Sequence, residues 1–259
     1  MNWSLRLSII WLCAASILVI FAPVFTPYNP VHPIADPLLS PKAHPPSGTD
    51  HLGRDEWSRL LYGGRTTLGA SFAATTITVV LGLVLGATAA IFGGPSDRVI
   101  VGISNAALAI PGLLLAMILI AGMGPGIMAI VLAVGIGGIP GFTRMSRSVF
   151  RELRETGYVL AAQAVGTSQI RIIRSHIFPN SLRKLAPVAT INFAWAILGI
   201  TTLTFLGLAG DPSIPEWGVM LNDGRGYLFE APWLVLFPGV LISTTVIVVH
   251  AVGKRIGKS

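Results

Sequence analysis

The sequence predicts an all-α membrane protein with six transmembrane helices, and three observations carry that prediction. Of 259 residues, 53% are hydrophobic and only 11% are charged, where a soluble domain carries about 25% charged residues. Mean hydropathy is +0.73. The apolar residues also gather into six long blocks, and all but one reach the roughly 17–25 residues that cross a hydrocarbon core.

The first block, Leu7 to Phe25, follows Arg6 as a secretory leader would. Its uncharged run exceeds the ~7–15 residue core of a signal peptide and "FAPVF" lacks a small-x-small cleavage site, so it is read as a retained span. It holds the single cysteine, Cys13, which leaves no disulfide framework and no thiolate metal cluster. Thr66 to Phe92 and Val99 to Gly122 are the second and third blocks. Ile127 to Phe142, the fourth, is short and glycine-rich and must borrow residues up to about Phe150 to cross. Leu185 to Leu208 and Trp233 to Val249 complete the set. The expected organisation is a first helix at 1–25, an outer loop at 26–65, a five-helix core at 66–252 with a long loop at 151–184, and a tail at 253–259.

With both termini inside, thirteen of the 18 Lys and Arg residues fall in cytoplasmic segments, among them Arg144, Arg147, Arg151 and Arg154. The positive-inside bias therefore favours a multi-pass protein with both termini cytoplasmic. The net charge of +7 fits contact with anionic membrane lipid. No nucleic-acid-binding motif accompanies it.

The outer loop opens with a run from Thr26 to Pro46 that holds seven prolines and reads as extended and irregular. "GTDHLGRD" follows. There Gly48 and Gly53 permit tight turns, while Asp50, Arg54 and Asp55 can form a charge network against the start of the second span.

Segment 151–184 is polar and basic within a greasy chain. Val159, Ala162, Val165, Ile170, Ile173 and Ile177 recur largely at helical spacing, which predicts one or two short helices broken near Gly166. A helix this short is marginal in water unless its apolar stripe packs on something. Lipid headgroups beneath Arg171 and Arg174, or a docked cytoplasmic partner, serve equally on pattern alone.

"AAQAVG" (Ala161 to Gly166) followed by "RSHIFPN" resembles the cytoplasmic "EAA" loop of permease subunits in binding-protein-dependent ABC importers. "GTDHLGRDEWSRLLYGGRTTL", "LTFLGLAGDPSIPEWGVMLNDGRGYL" and "PWLVLFPG" are similar, in order and spacing, to the dipeptide/oligopeptide/nickel permease family. The resemblance implies a type I ABC importer permease fold in a bacterial or archaeal plasma membrane. It implies as partners a second homologous permease subunit, two ABC ATPase subunits and an extracytoplasmic substrate-binding protein. By the same resemblance Leu160, Ala161, Ala162, Gly166, Ile170 and Pro179 belong to the ATPase-coupling loop, and Gly48, Thr49, Asp50, Gly53, Arg54 and Asp55 form an extracytoplasmic signature. ATP is used by the partner subunits, and no cofactor is bound directly.

The residues agree with an importer powered from outside the chain. The second to fifth blocks contain no Asp, Glu, Lys, Arg or His to couple an ion. No phosphate loop, H-E-x-x-H zinc helix or G-x-S-x-G elbow is present, so the chain is not read as an enzyme. Gly82 and Gly86 offer a small-xxx-small face for close packing, which a rocking pore would use equally. Pro111 and Pro140 can bend their helices. Asn105, Asn192, Thr201 and Thr202 are polar groups that can line a path or bond a neighbouring helix.

Leu160 and Ile200 stand where many peptide permeases of the family have Glu, and the second departure implies a less acidic path. With "EWGVMLNDGR", these departures resemble the nickel-uptake branch, so nickel or a chelated metal ion is the expected cargo and di- or oligopeptides the alternative. His32, His44 and His51 lie in the outer loop, and no metal site is expected in the chain.

Overall fold

The computed structural model describes residues 17–26, 28–42 and 45–257, and among them all regular structure is helical. Extended chain contributes only isolated bridges, Pro33 with Arg54 and Thr49 with Asp55. α1 (Ala22–Phe25) ends the first apolar block, whose residues 7–16 lie outside the described residues.

α2 (Glu56–Phe92) begins well before the expected Thr66, because Asp55 caps it. The Asp55 carboxylate accepts from the Ser58 amide at 2.9 Å and the Ser58 hydroxyl at 2.6 Å, which satisfies donors that a helix start leaves open. Its 37 residues run about 55 Å at 1.5 Å each, so its first turns stand clear of a ~30 Å hydrocarbon layer.

The third block is not one helix. It divides into α3 (Gly94–Leu108) and α4 (Gly112–Met123), which meet at 94°. Pro111 does more than bend the chain. Its ring excludes the helical conformation from Ile110 and removes a donor, and with ψ 127 it starts a new helix in a new direction.

α5 (Ile127–Arg154) contains Pro140 without breaking and extends through the flanking residues the short fourth block required. α6 (Gly157–Ala164) follows almost at once. α7 (Gln169–Ile172) then runs through a π turn, Ile173–Ile177, directly into α8 (Phe178–Phe205). The expected loop 151–184 is thus mostly helix, and its second half is the leading part of the fifth block's helix. α9 (Trp217–Gly224), a 3-10 turn (Arg225–Tyr227) and α10 (Trp233–Ile256) complete the chain.

Among the described residues four helices, α2, α5, the joined α7–α8 and α10, are long and apolar enough to cross a membrane, and α3 with α4 makes a fifth if the bent pair is one span. The expected six is reached only to that extent.

α2 and α5 pack closely because small residues line their contact. A Cβ at Gly82 would lie 2.9 Å from the Phe142 Cβ, and one at Gly86 2.6 Å from both the Ser146 Cβ and the Thr143 carbonyl oxygen. In lipid such close backbone approach supplies the dispersion contact that holds helices together. Apolar clusters fill three levels. Leu60, Ile197, Trp217 and Ile242 lie at the end where α2 begins, Ile130, Ala133 and Ile200 at mid-height, and Phe150, Val159, Ile172 and Ile177 at the end where α2 stops.

Candidate transport path and docking segment

A cavity of about 540 Å3 opens at mid-height between α4, α5 and α8. Gly112, Leu113 and Ala116 form one wall, Ala133, Val134 and Gly137 the second, and Trp195, Leu198, Gly199, Thr202 and Leu203 the third. No ionisable side chain lines it. Trp195 is 67% exposed in the midst of an apolar bundle. α4, set at 94° to α3, supplies Gly112, Leu113 and Ala116 to the lining.

Of the four polar residues considered for a path, Thr202 alone lines this cavity. Thr201 is buried and donates to the Ile197 carbonyl at 2.8 Å. Asn192 donates to the Val188 carbonyl at 2.9 Å. Asn105 is exposed on α3, outside the lining. Ile200 is fully buried in the mid-height core, so the residue at that position does not set the charge of the cavity. Trp195 escaped sequence reading because an aromatic in an apolar run carries no mark of its facing.

At the end where α2 stops, α6 and α7 form a compact projection. Val159, Ile172 and Ile177 are buried against Phe150 and Leu153. The expected stripe is interrupted, however: Val165 is 80% and Ile170 79% exposed. The chain turns between them at Gly166, whose φ of +78° is left-handed and whose Cβ position has nothing within 4 Å. Glycine serves there for its backbone angle, not for clearance. Leu160, Ala161 and Pro179 are exposed and Ala162 is half-buried, so the projection presents Leu160, Val165 and Ile170 as exposed apolar side chains on a short element whose one charge is Arg171.

At the opposite end the 48–55 segment is spent on internal contacts. Thr49 donates its hydroxyl to the Asp36 carbonyl at 2.7 Å and accepts the Leu39 amide at 2.8 Å. Asp50 pairs with the Arg54 Nε at 2.5 Å and the Arg59 Nε at 3.3 Å. Gly48 and Gly53 take left-handed angles of 78° and 76°, and the Gly53 carbonyl accepts from the Ile34 amide at 2.8 Å. Asp55 is a helix cap more than a member of the ion-pair network.

Four further residues brace this end of the bundle, the first two against this segment, and no sequence motif gives any of them a role. Arg59, 1% exposed, reaches the Pro30 and Ser213 carbonyls and Asp223. Asp223 also faces Arg54 at 3.8 Å. Burial raises the Asp223 carboxyl above the ordinary aspartate range, partly opposed by Arg59, His51 and Arg54. Glu216 caps α9, accepting the Gly218 and Val219 amides at 2.7 and 3.0 Å, and also accepts a hydrogen bond from the Thr67 hydroxyl at 2.7 Å. Thr67 in turn accepts the Trp217 amide at 3.1 Å. Glu216, followed by Trp217, is not one of the usual cap residues Ser, Thr, Asp and Asn, so its capping role carries no ready local signal. Arg59 and Asp223 lie too far apart in sequence for any such signal. Among the described residues no group of three His, Cys, Asp or Glu could hold a metal ion.

Comparison with known proteins bears on these features. Residues 65–259 match the family model described as "Binding-protein-dependent transport system inner membrane component". The chain is 39% identical over 239 residues to a dipeptide transport system permease, DppC, of Alkalihalophilus pseudofirmus, covering 92% of this chain and 78% of that one. It is 34% identical to a di/tripeptide permease of Pseudomonas aeruginosa (90% and 80% covered) and 31% identical to the nickel permease NikC of Escherichia coli (98% and 92% covered). In fold it is similar to a chain of the inward-facing MetNI methionine ABC transporter, with TM-score 0.63 at 22% identity, covering 77% of this chain and 95% of that one.

Proposed function

Because this chain belongs to the family of binding-protein-dependent transport system inner membrane components, it is a permease subunit of an ABC importer, and we propose that its cargo is a di- or oligopeptide. The observation that carries the cargo is the 39% identity to a dipeptide permease along nearly the whole chain, against 31% to a nickel permease. The nickel expectation therefore gives way to its alternative. Its structural basis also weakens, since Ile200 is buried in the core and Leu160 belongs to the projecting segment. A cavity with apolar walls, one tryptophan and one threonine suits a cargo with its own side chains, and supplies no ligand for a metal ion.

The wider reading is one half of a heteromeric channel. A second homologous permease subunit closes the cavity between α4, α5 and α8. Two ATPase subunits bind the α6–α7 projection, where Leu160, Ala161, Ala162, Gly166, Ile170 and Pro179 meet them. ATP acts only through those subunits. The 48–55 network and α9 face the extracytoplasmic side, where a substrate-binding protein delivers cargo; their contacts hold that surface in shape. Six spans with both termini cytoplasmic follow if the first apolar block and the α3–α4 pair each cross. The supporting observation for docking is the exposure of Val165 and Ile170 on an element too short to be stable alone.

The test is affinity purification in mild detergent. A second permease with two ATPases bearing phosphate loops supports the assembly. A chain that purifies alone and takes up cargo in liposomes without ATP contradicts it.

A further inference from the structure

Three arginines that charge counting assigns to lipid and orientation are engaged inside the protein. Arg147, Arg151 and Arg154 follow at intervals of four and three along the last turns of α5, so they share one face. All three grip the corner between α2 and α3. Arg147 forms a two-pronged pair with Asp97, through Nε to Oδ1 and through Nη2 to Oδ2 at 2.7 Å, and Arg151 joins the same Oδ2 at 2.8 Å. Arg154 donates from Nη1 to the Ala90 carbonyl and, at 3.2 Å, to the Ile91 carbonyl, the last turn of α2. Asp97 lies in the first turn of α3. One face of α5 thus holds the end of one helix and the beginning of the next.

The surroundings make this junction stiff. Gly86 brings the α2 backbone against Thr143 and Ser146, and Phe150, Leu153 and Ala90 close the apolar side. The Arg147–Asp97 pair is the strong member, being two-pronged with side chains 25% and 13% exposed; Arg151, 47% exposed, adds little. Arg154 is the last residue of α5 and Gly157 the first of α6. At its far end α3 meets Pro111, beyond which α4 supplies a wall of the cavity.

We propose that Arg147 and Arg154 are positioning residues for energy coupling: they join the α6–α7 projection to the α2–α3 corner so that displacement of α6 turns α3 and, through the Pro111 break, moves the α4 wall of the cavity. This rests on the reading of α6–α7 as the ATPase-docking segment. It does not depend on the identity of the cargo.

The experiment uses the complete transporter in proteoliposomes with Cys13 replaced by serine. A cysteine at Leu113 reports the α4 wall through its rate of reaction with a small maleimide, with and without ATP and vanadate. In a separate protein a cysteine at Ala161 reports docking by cross-linking to the ATPase. In Arg154→Ala and Arg147→Gln the cross-link and ATP hydrolysis persist, while the nucleotide-dependent change at Leu113→Cys falls about tenfold. Arg154→Lys, which still offers a donor to the two carbonyls, retains most of the change. Combining Asp97→Asn with Arg147→Gln costs no more than either alone. Nucleotide-dependent labelling in Arg154→Ala equal to that of the parent overturns the proposal and leaves docking intact. Absence of the Ala161→Cys cross-link in the parent overturns docking and the proposal with it.

Discussion

Replacing Glu216 by alanine removes the acceptor of three buried donors at once. The Gly218 and Val219 amides lose the α9 cap and the Thr67 hydroxyl loses its 2.7 Å acceptor. Glu216 is 2% exposed, and Thr67 and Gly218 are buried with it, so water does not readily replace the lost oxygens. Leaving a buried polar group unmatched costs about 1–3 kcal/mol, and three such groups with partial relaxation make about 3–6 kcal/mol. That is a large part of the ~5–15 kcal/mol by which domains are stable, and corresponds to a fall of roughly 6–24 °C in the melting temperature of a chain this size. Glu216→Gln keeps one acceptor oxygen and should lose less than half as much. The assay is thermal unfolding of the detergent-solubilised chain, followed by loss of the monodisperse gel-filtration peak after heating. An alanine variant melting within about 2 °C of the parent would refute the capping argument.

Other expectations follow from the same contacts. Gly86→Leu should cost about 1–3 kcal/mol or more by overpacking, lowering the yield of folded protein, whereas Gly141→Ala, with nothing within 4 Å of its Cβ, should leave it unchanged. At Gly166, φ +78° makes any L residue strained, so Gly166→Arg should keep the protein in the membrane but weaken ATPase co-purification and stop uptake, while Gly166→Asn, better tolerated in that region, retains more of both. Because burial raises the Asp223 carboxyl, its contribution to stability is fully present below the unfolded aspartate range and is lost as pH rises through its folded value. Asp223→Asn should flatten the pH dependence of melting on the alkaline side of that range, read as melting temperature against pH. For orientation, a cysteine at Phe229, 98% exposed, should react with an impermeant thiol reagent from outside and one at the exposed Ser168 should not, in a Cys13→Ser background.

The fold class was legible because hydropathy in long blocks reports the solvent directly. Element ends were legible only where local chemistry sets them. Gly166, the expected break between two short helices, is where the chain turns after α6, whereas the Asp55–Ser58 cap went unread and α2 starts well before the expected Thr66. Block length misled at Val99 to Gly122, since hydropathy is blind to direction and Pro111 alone marked the 94° break. The loop at 151–184 is more regular than one or two short helices, because a π turn at Ile173–Ile177 joins α7 to α8, which tolerates Pro179 in its first turn. Path residues were least legible. Polarity drew attention to Asn105, Asn192 and Thr201, yet back-bonding within the helix satisfies Asn192 and Thr201, and the cavity is bounded by Trp195, glycines and aliphatic residues. The four arginines after residue 143 cluster in the sequence, but which of them hold the α2–α3 corner depends on pairs 50 to 64 residues apart.

The cargo is tested most directly by uptake of labelled dipeptide, oligopeptide and nickel by cells carrying or lacking this gene, with the wild-type chain restored on a plasmid. A peptide permease requires that deletion abolish energy-dependent peptide uptake, that the plasmid restore it, and that nickel uptake be unchanged. Loss of nickel uptake with peptide uptake intact would contradict a peptide cargo.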